Sequence, residues 1–146
     1  MAEPVEVAIE SALLTRAQAF ATAQSLTIAL PNVAFTAPVA TPTAHYLEAH
    51  FLPAPTNGLG LSTDSTNQLY GLLQINVYCG LGGGEYAPGR IASAALSYFK
   101  FGTFVTKDGF TATVWHQPYR GPAIKDATWL MIPVTIPYVC FAPNPA

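Results

Sequence analysis

From Ala44 to Leu52 apolar and polar positions alternate strictly, with Leu47, Ala49 and Phe51 on one parity and Tyr46, Glu48 and His50 on the other. That period of two predicts a half-buried strand. Pro53 to Gly58 ends it, and a polar, glycine-bearing connection runs to about Asn67. A second strand follows, in which Leu73, Ile75, Val77 and Cys79 alternate with Leu72, Gln74, Asn76 and Tyr78, and the two are expected to pair as an antiparallel hairpin. Its tip is longer than closure requires, and loops of that kind tend to carry function. Phe110 to Gln117 alternates again, and Pro118 to Pro122 reads as a loop.

The last strand, Trp129 to Tyr138, contains Pro133 and Pro137 on one parity. Backbone N–H groups of a strand point alternately to its two neighbours, so both prolines delete donors on the same side. The sequence therefore predicts an edge strand or a bulge, with Leu130, Ile132, Val134, Ile136 and Tyr138 turned together into apolar surroundings. An apolar edge protected against casual pairing suits controlled assembly.

Two segments change to a helical period. Val5, Ile9, Leu13 and Phe20 recur at helical spacing between Pro4 and about Gln24, with Pro4 suited to the first turn and Glu3, Glu6 and Glu10 to the positive end of the dipole. Ile91, Ala95, Tyr98 and Phe99 mark a second helix within Glu85 to Lys100, ended by Gly102. Between the first helix and first strand, Leu26 to Phe35 reads as a short extended segment broken at Pro31 and Asn32. The expected fold is α+β: a mostly antiparallel sheet with two main helices on one face, one domain over residues 1–146.

Composition adds a constraint. Charged residues are 10% of the chain, against about 25% in a typical soluble domain, and hydrophobic residues are 51%. A chain of 146 residues buries a core without staples, and its remaining apolar exterior is expected to be subunit interface. The uncharged span between Arg16 and Glu48 is interrupted by Pro31, Pro38 and Pro42 and does not read as a membrane span. No basic region precedes an apolar run at the N-terminus, so the chain reads as staying in the compartment where it is made. Cys79 and Cys140 read as buried thiols.

Candidate chemistry is sparse. Gly80 to Gly84 stands between a strand and a helix but lacks the Lys and Ser/Thr of a phosphate loop, and reads as a connection. His45 and His50 face opposite ways on one strand and cannot share an ion. No nucleophile-elbow motif surrounds Ser62, Ser65, Cys79 or Cys140, so neither catalysis, metal nor cofactor is expected. Trp115, Tyr119 and Trp129 could form an aromatic ligand box, though core or interface anchoring is the commoner use of such residues. Six Lys and Arg against eight Asp and Glu, with no basic run, disfavour gripping of nucleic acid, so that any contact with DNA is expected to be passive.

The N-terminal helix, Leu30 to Phe35, Tyr46 to Asn57, Tyr70 to Val77 and Trp129 to Tyr138, in this order and spacing, together resemble the tail terminator proteins of long-tailed bacteriophages, of the lambda type. The similarity runs over nearly the whole chain; the glycine run Gly82 to Gly84 and the short tail after Phe141 depart from it. The resemblance implies a non-enzymatic virion protein, assembled in the host cytoplasm and placed at the head-proximal end of the tail. As a homohexameric ring it would cap the tail tube, stop its growth and join it to a head-completion or connector protein, with DNA only passing through. Six copies of a chain at formal charge −2 would carry −12, a ring that repels DNA from its bore. Two interfaces are expected on that reading. The connection from Asn57 to Asn67, with Leu59, Leu61 and Asp64, would meet the tube or a neighbouring subunit, and the edge strand would contribute Trp129, Met131, Pro133 and Pro137. The alternatives are another neck or tail-completion protein of the same fold, or a small-ligand-binding domain or hydrolase with a closed pocket.

Overall fold

The computed structural model describes residues 3–144. Helix α1 (Val5–Ala23) begins at Pro4, whose carbonyl accepts from Ala8 N–H at 2.9 Å. Strands β1 (Ile28–Ala29) and β2 (His45–Pro53) lie parallel, and β2 then continues through β3 (Asn57–Gly58) into β4 (Thr66–Gly80). The expected hairpin is present: β2 and β4 pair antiparallel from His45 opposite Cys79 to Pro53 opposite Gly71. Helix α2 (Tyr86–Tyr98) leads to the hairpin β5 (Phe104–Lys107) and β6 (Phe110–Val114), then to the short β7 (Tyr119–Arg120) and β8 (Ile124–Lys125), and to β9 (Trp129–Pro143). The sheet order is β1-β2-β4-β9-β6-β5, with β3 on β4 and β7 and β8 on β9.

Both helices lie on one face, as the sequence predicts. Ile9, Leu13 and Phe20 of α1 and Ala92 and Ala95 of α2 form one core with Leu47, Leu73, Ile75, Val77, Ile132, Val134 and Ile136. The alternate residues of three neighbouring strands thus share a single layer. Arg16 ties the helices together: its guanidinium lies 4.4 Å from the Tyr98 ring centroid, and Nη2 donates to Tyr98 O at 2.7 Å. Stacking over an aromatic face lets that charge be partly buried.

The last strand corrects the expectation of an edge. β9 is interior, paired with β4 over all 15 of its residues on one side and with β6, β7 and β8 on the other. In an antiparallel strand a residue's N–H and C=O point to the same neighbour. Gly121 N–H donates to Pro133 O at 2.8 Å and Trp115 N–H to Pro137 O at 3.4 Å, so the two missing donors face the β6–β8 side. There the ladder is cut into three short pieces that end at the prolines. Parity told correctly that one side of the strand is broken; what it could not tell is that separate short strands would fill the gaps.

Three further differences are local. The connection Pro118 to Pro122, read as a loop, contains β7, and β8 follows it; each strand is two residues long. β9 runs on to Pro143 and β4 starts at Thr66, both longer than their apolar alternation. The glycine run is a fitted turn: a Cβ on Gly80 would stand 1.9 Å from Thr41 O and one on Gly83 2.3 Å from Pro42 O, so only glycine lets the 41–42 backbone cross there. Cys79 and Cys140 are free and buried, and lie ten register positions apart along the sheet, about 33 Å at strand rise.

Candidate functional site

The connection predicted to carry contacts is a β-arm. Beyond Pro53 the hairpin continues, with Asn57 opposite Gln68 and Gly58 opposite Asn67, and Leu59 N–H donating to Thr66 O at 3.0 Å. Asn57 Nδ2 donates to Gln68 Oε1 at 3.2 Å across the pair. At the tip Ser65 Oγ accepts from Ser62 N–H at 3.0 Å and Ser62 Oγ from Asp64 N–H at 3.2 Å, the local side-chain turns that serine favours. Asn144, just beyond β9, fastens the tip: its N–H donates to Ser65 O, its Nδ2 to Thr63 O, and its Oδ1 accepts from Asn67 Nδ2. This pinned loop holds Leu59 and Leu61 out in solvent at 56% and 107% relative exposure, with Asp64 exposed beside them. Burying a leucine contributes roughly 1.5–3 kcal/mol, so an ordered turn that exposes two of them favours a partner.

The second surface is the sheet face that no helix covers. In register across β2, β4 and β9 it presents Tyr46, Tyr78 and Met131; then Glu48, Asn76 and Pro133; then His50, Gln74 and Thr135; then Leu52, Leu72 and Pro137. Trp129, Met131, Pro133 and Pro137 are therefore brought together on this face, half-buried, and not along an edge. Tyr46 stacks on Tyr78 at 4.6 Å between centroids and takes the edge of Trp129 at 4.9 Å. Trp115 packs instead near Tyr70, at 6.1 Å, so the aromatic box of Trp115, Tyr119 and Trp129 does not form.

Sequence reasoning missed the polar centre of this face. Glu48 Oε1 accepts from His50 Nε2 at 2.8 Å, Asn76 Nδ2 at 3.1 Å and Tyr78 Oη at 3.1 Å, while Gln74 Nε2 donates to Asn76 Oδ1 at 2.9 Å. Burial opposes ionisation of Glu48, but the hydrogen bonds from His50, Asn76 and Tyr78 outweigh it and hold the carboxyl below its ordinary 4.5. The same burial, with the Glu48 charge, pushes Tyr78 up to about 12. The signal was present in the alternation, since Glu48, Gln74, Asn76 and Tyr78 share parity, but only the register shows that they meet.

This network fixes a surface, and among the described residues no group of three His, Cys, Asp or Glu could hold a metal ion. No helix of the described chain is long and apolar enough to cross a membrane.

Comparison with known proteins gives a consistent picture. A family model described as phage tail terminator protein matches residues 8–138. No curated protein matches. Four chains of solved structures match; one of them superposes with a TM-score of 0.75 at 24% identity over 94% of this chain and 96% of its own. At that identity the likeness establishes the fold alone.

Proposed function

The chain belongs to the phage tail terminator family, structural components of the virion tail and not enzymes, and from that premise we propose that six copies close into a ring that seats on the last ring of the tail tube. A tube grows because the top of each ring fits the bottom of the next, a head-to-tail contact that does not close. A terminator offers one half of that contact and withholds the other. Six weak contacts made together seat the ring firmly through effective concentration, with no deep pocket in any one subunit. The free side then serves as the joint to a head-completion or connector protein, and an acidic bore lets DNA pass without being held.

One observation in the chain itself carries this reading: a sheet buried by helices on one face and half-buried, with no helix over it, on the other, continued by an ordered arm that ends in two exposed leucines. A ligand-binding domain or hydrolase would concentrate its polar groups in an enclosed pocket; here they lie on an open platform. Native mass spectrometry and negative-stain imaging, on the purified chain alone and with tube protein, test the reading. A hexamer mass and rings on one end of each tube are expected. A chain that stays monomeric in both settings, or decorates tubes along their sides, would overturn it.

A further inference from the structure

The ring reading leaves open which surfaces of adjacent copies meet, and the distribution of charge narrows this. Among the described residues the one ion pair is His50 with Glu48, so no Lys or Arg is neutralised by an Asp or Glu of its own chain. No Lys or Arg occurs between Arg16 and Arg90 in the sequence, which leaves the arm without a cation. Its tip carries Asp64, and Glu6 and Glu10 line the groove at its base.

Three of the six cations, Arg90, Arg120 and Lys125, stand at the far end of the same strands. Gly80, the last residue of β4, pairs with Trp129, and here a hollow of about 480 Å³ lies between the glycine turn and β8, lined by Leu81, Leu130, Ala123, Glu85 and Lys125. Arg90 and Arg120 flank the neighbouring surface together with Glu85. The other acid nearby, Asp126, is occupied by the N–H groups of Thr128 and Trp129 at 2.7 and 2.6 Å. Arm tip and hollow stand at opposite ends of the 15-residue β4, about 46 Å apart at strand rise. One molecule cannot bring them together, but two copies can.

We propose that the arm tip of one copy seats in this hollow of the next, Leu61 entering beside Leu81 and Leu130 and Asp64 lying against Lys125 and Arg120. The occupant is a second copy because the two surfaces are complementary in both respects: exposed leucines face a hollow of mixed lining that offers Leu81, Ala123 and Leu130, and the acid of the arm tip faces Lys125, Arg90 and Arg120, which outnumber the one acid among them, Glu85. Such a contact uses different patches on the two partners and propagates in one rotational sense, as ring closure requires. It deepens the ring reading and rests on it.

Charge exchange tests it, with mass photometry of purified chains as the readout and thermal melts to show that each variant folds. Leu61→Ser is expected to weaken association about ten- to hundredfold through the lost leucine burial. Asp64→Lys alone and Lys125→Glu alone are each expected to weaken it about three- to tenfold, and the double exchange to restore it to within about twofold. In a separate pair, Leu61→Cys with Ala123→Cys is expected to give a covalent ladder of copies under mild oxidation, and either cysteine alone is not. Wild-type rings combined with single variants that assemble normally, or an exchange that rescues nothing, would overturn this contact and leave the ring intact. Arm variants that keep the ring mass but no longer bind tubes would assign the arm to the tube instead. A wild-type chain that never assembles, with or without tube, would remove the ring and this contact together.

Discussion

The same three strands present two unlike faces. Toward the helices, Leu47, Val77 and Ile132 share a register, as do Ala49, Ile75 and Val134, and all are buried at 0–1% relative exposure. On the reverse, Glu48, Asn76 and Pro133 share one register, and His50, Gln74 and Thr135 the next. The first face is a closed apolar layer whose geometry the chain settles by itself. The second is half-buried, mixes aromatic with polar groups, and is held in shape by a hydrogen-bonded carboxylate. Only the second leaves something for another molecule to do.

Substitutions on the two faces should separate stability from assembly. Ile132→Ala opens a cavity in the covered layer and is expected to cost about 2–5 kcal/mol in urea unfolding. Asn76→Ala removes a buried donor to Glu48 and the acceptor of Gln74, and is expected to cost about 1–3 kcal/mol by the same measurement. A larger cost at Ile132 than at Asn76 would fit the contrast; no cost at Asn76 would show that the polar platform is ornamental to the fold.

A pH series sharpens the point. Because Glu48 sits below its ordinary 4.5 in the folded chain, its contribution is fully present above that pH and is lost as pH falls through the folded value. Urea midpoints should therefore drop below about pH 4.5, and the part of this drop due to Glu48 should vanish in Glu48→Gln. Tyr78 acts with opposite sense at the alkaline end: held protonated to about 12 against an ordinary 10.0, it contributes below pH 10 and ceases to do so as pH rises through 12. Tyr78→Phe should shift the alkaline unfolding midpoint. The smallest effect on stability belongs to the exposed apolar rim of this face: Leu52→Ser should stay within about 0.5 kcal/mol of the parent, while weakening assembly with tube protein in sedimentation.

Much of this division was legible in the sequence. The strict alternation in β2 and β4 marked both strands and their buried sides, and the helical period placed α1 to within a residue or two. The β5–β6 hairpin was missed on its first strand although Asp108–Gly109, with φ of 53° and 82°, is the two-residue turn signal that such hairpins use. β7 and β8 left no trace because two residues in a proline- and glycine-rich stretch have no period to read. The interior position of β9 was illegible for a different reason. Proline parity reports which side lacks donors, and three interrupted partners satisfy that condition as well as open solvent does.

The arm was legible as a long polar connection, and its exposed leucines as anchors. Its hairpin character was not, because Asn57 and Gly58 read as turn residues until Gln68 and Asn67 are set opposite them. The bare face was hidden for want of register: Glu48 and Asn76 are 28 positions apart in sequence and meet only when the hairpin is closed.

Hydroxyl-radical footprinting of the free chain and of the chain assembled with tube protein tests most directly whether the bare face and arm are assembly surfaces. Trp129, Met131 and Tyr78 on the platform and Leu61 at the arm tip should lose reactivity on assembly, while exposed Phe104 on the outer strand β5, away from the platform, the arm and the hollow, serves as the internal reference. Undiminished labelling of all four residues in particles that have demonstrably assembled would contradict the assignment of function to these surfaces.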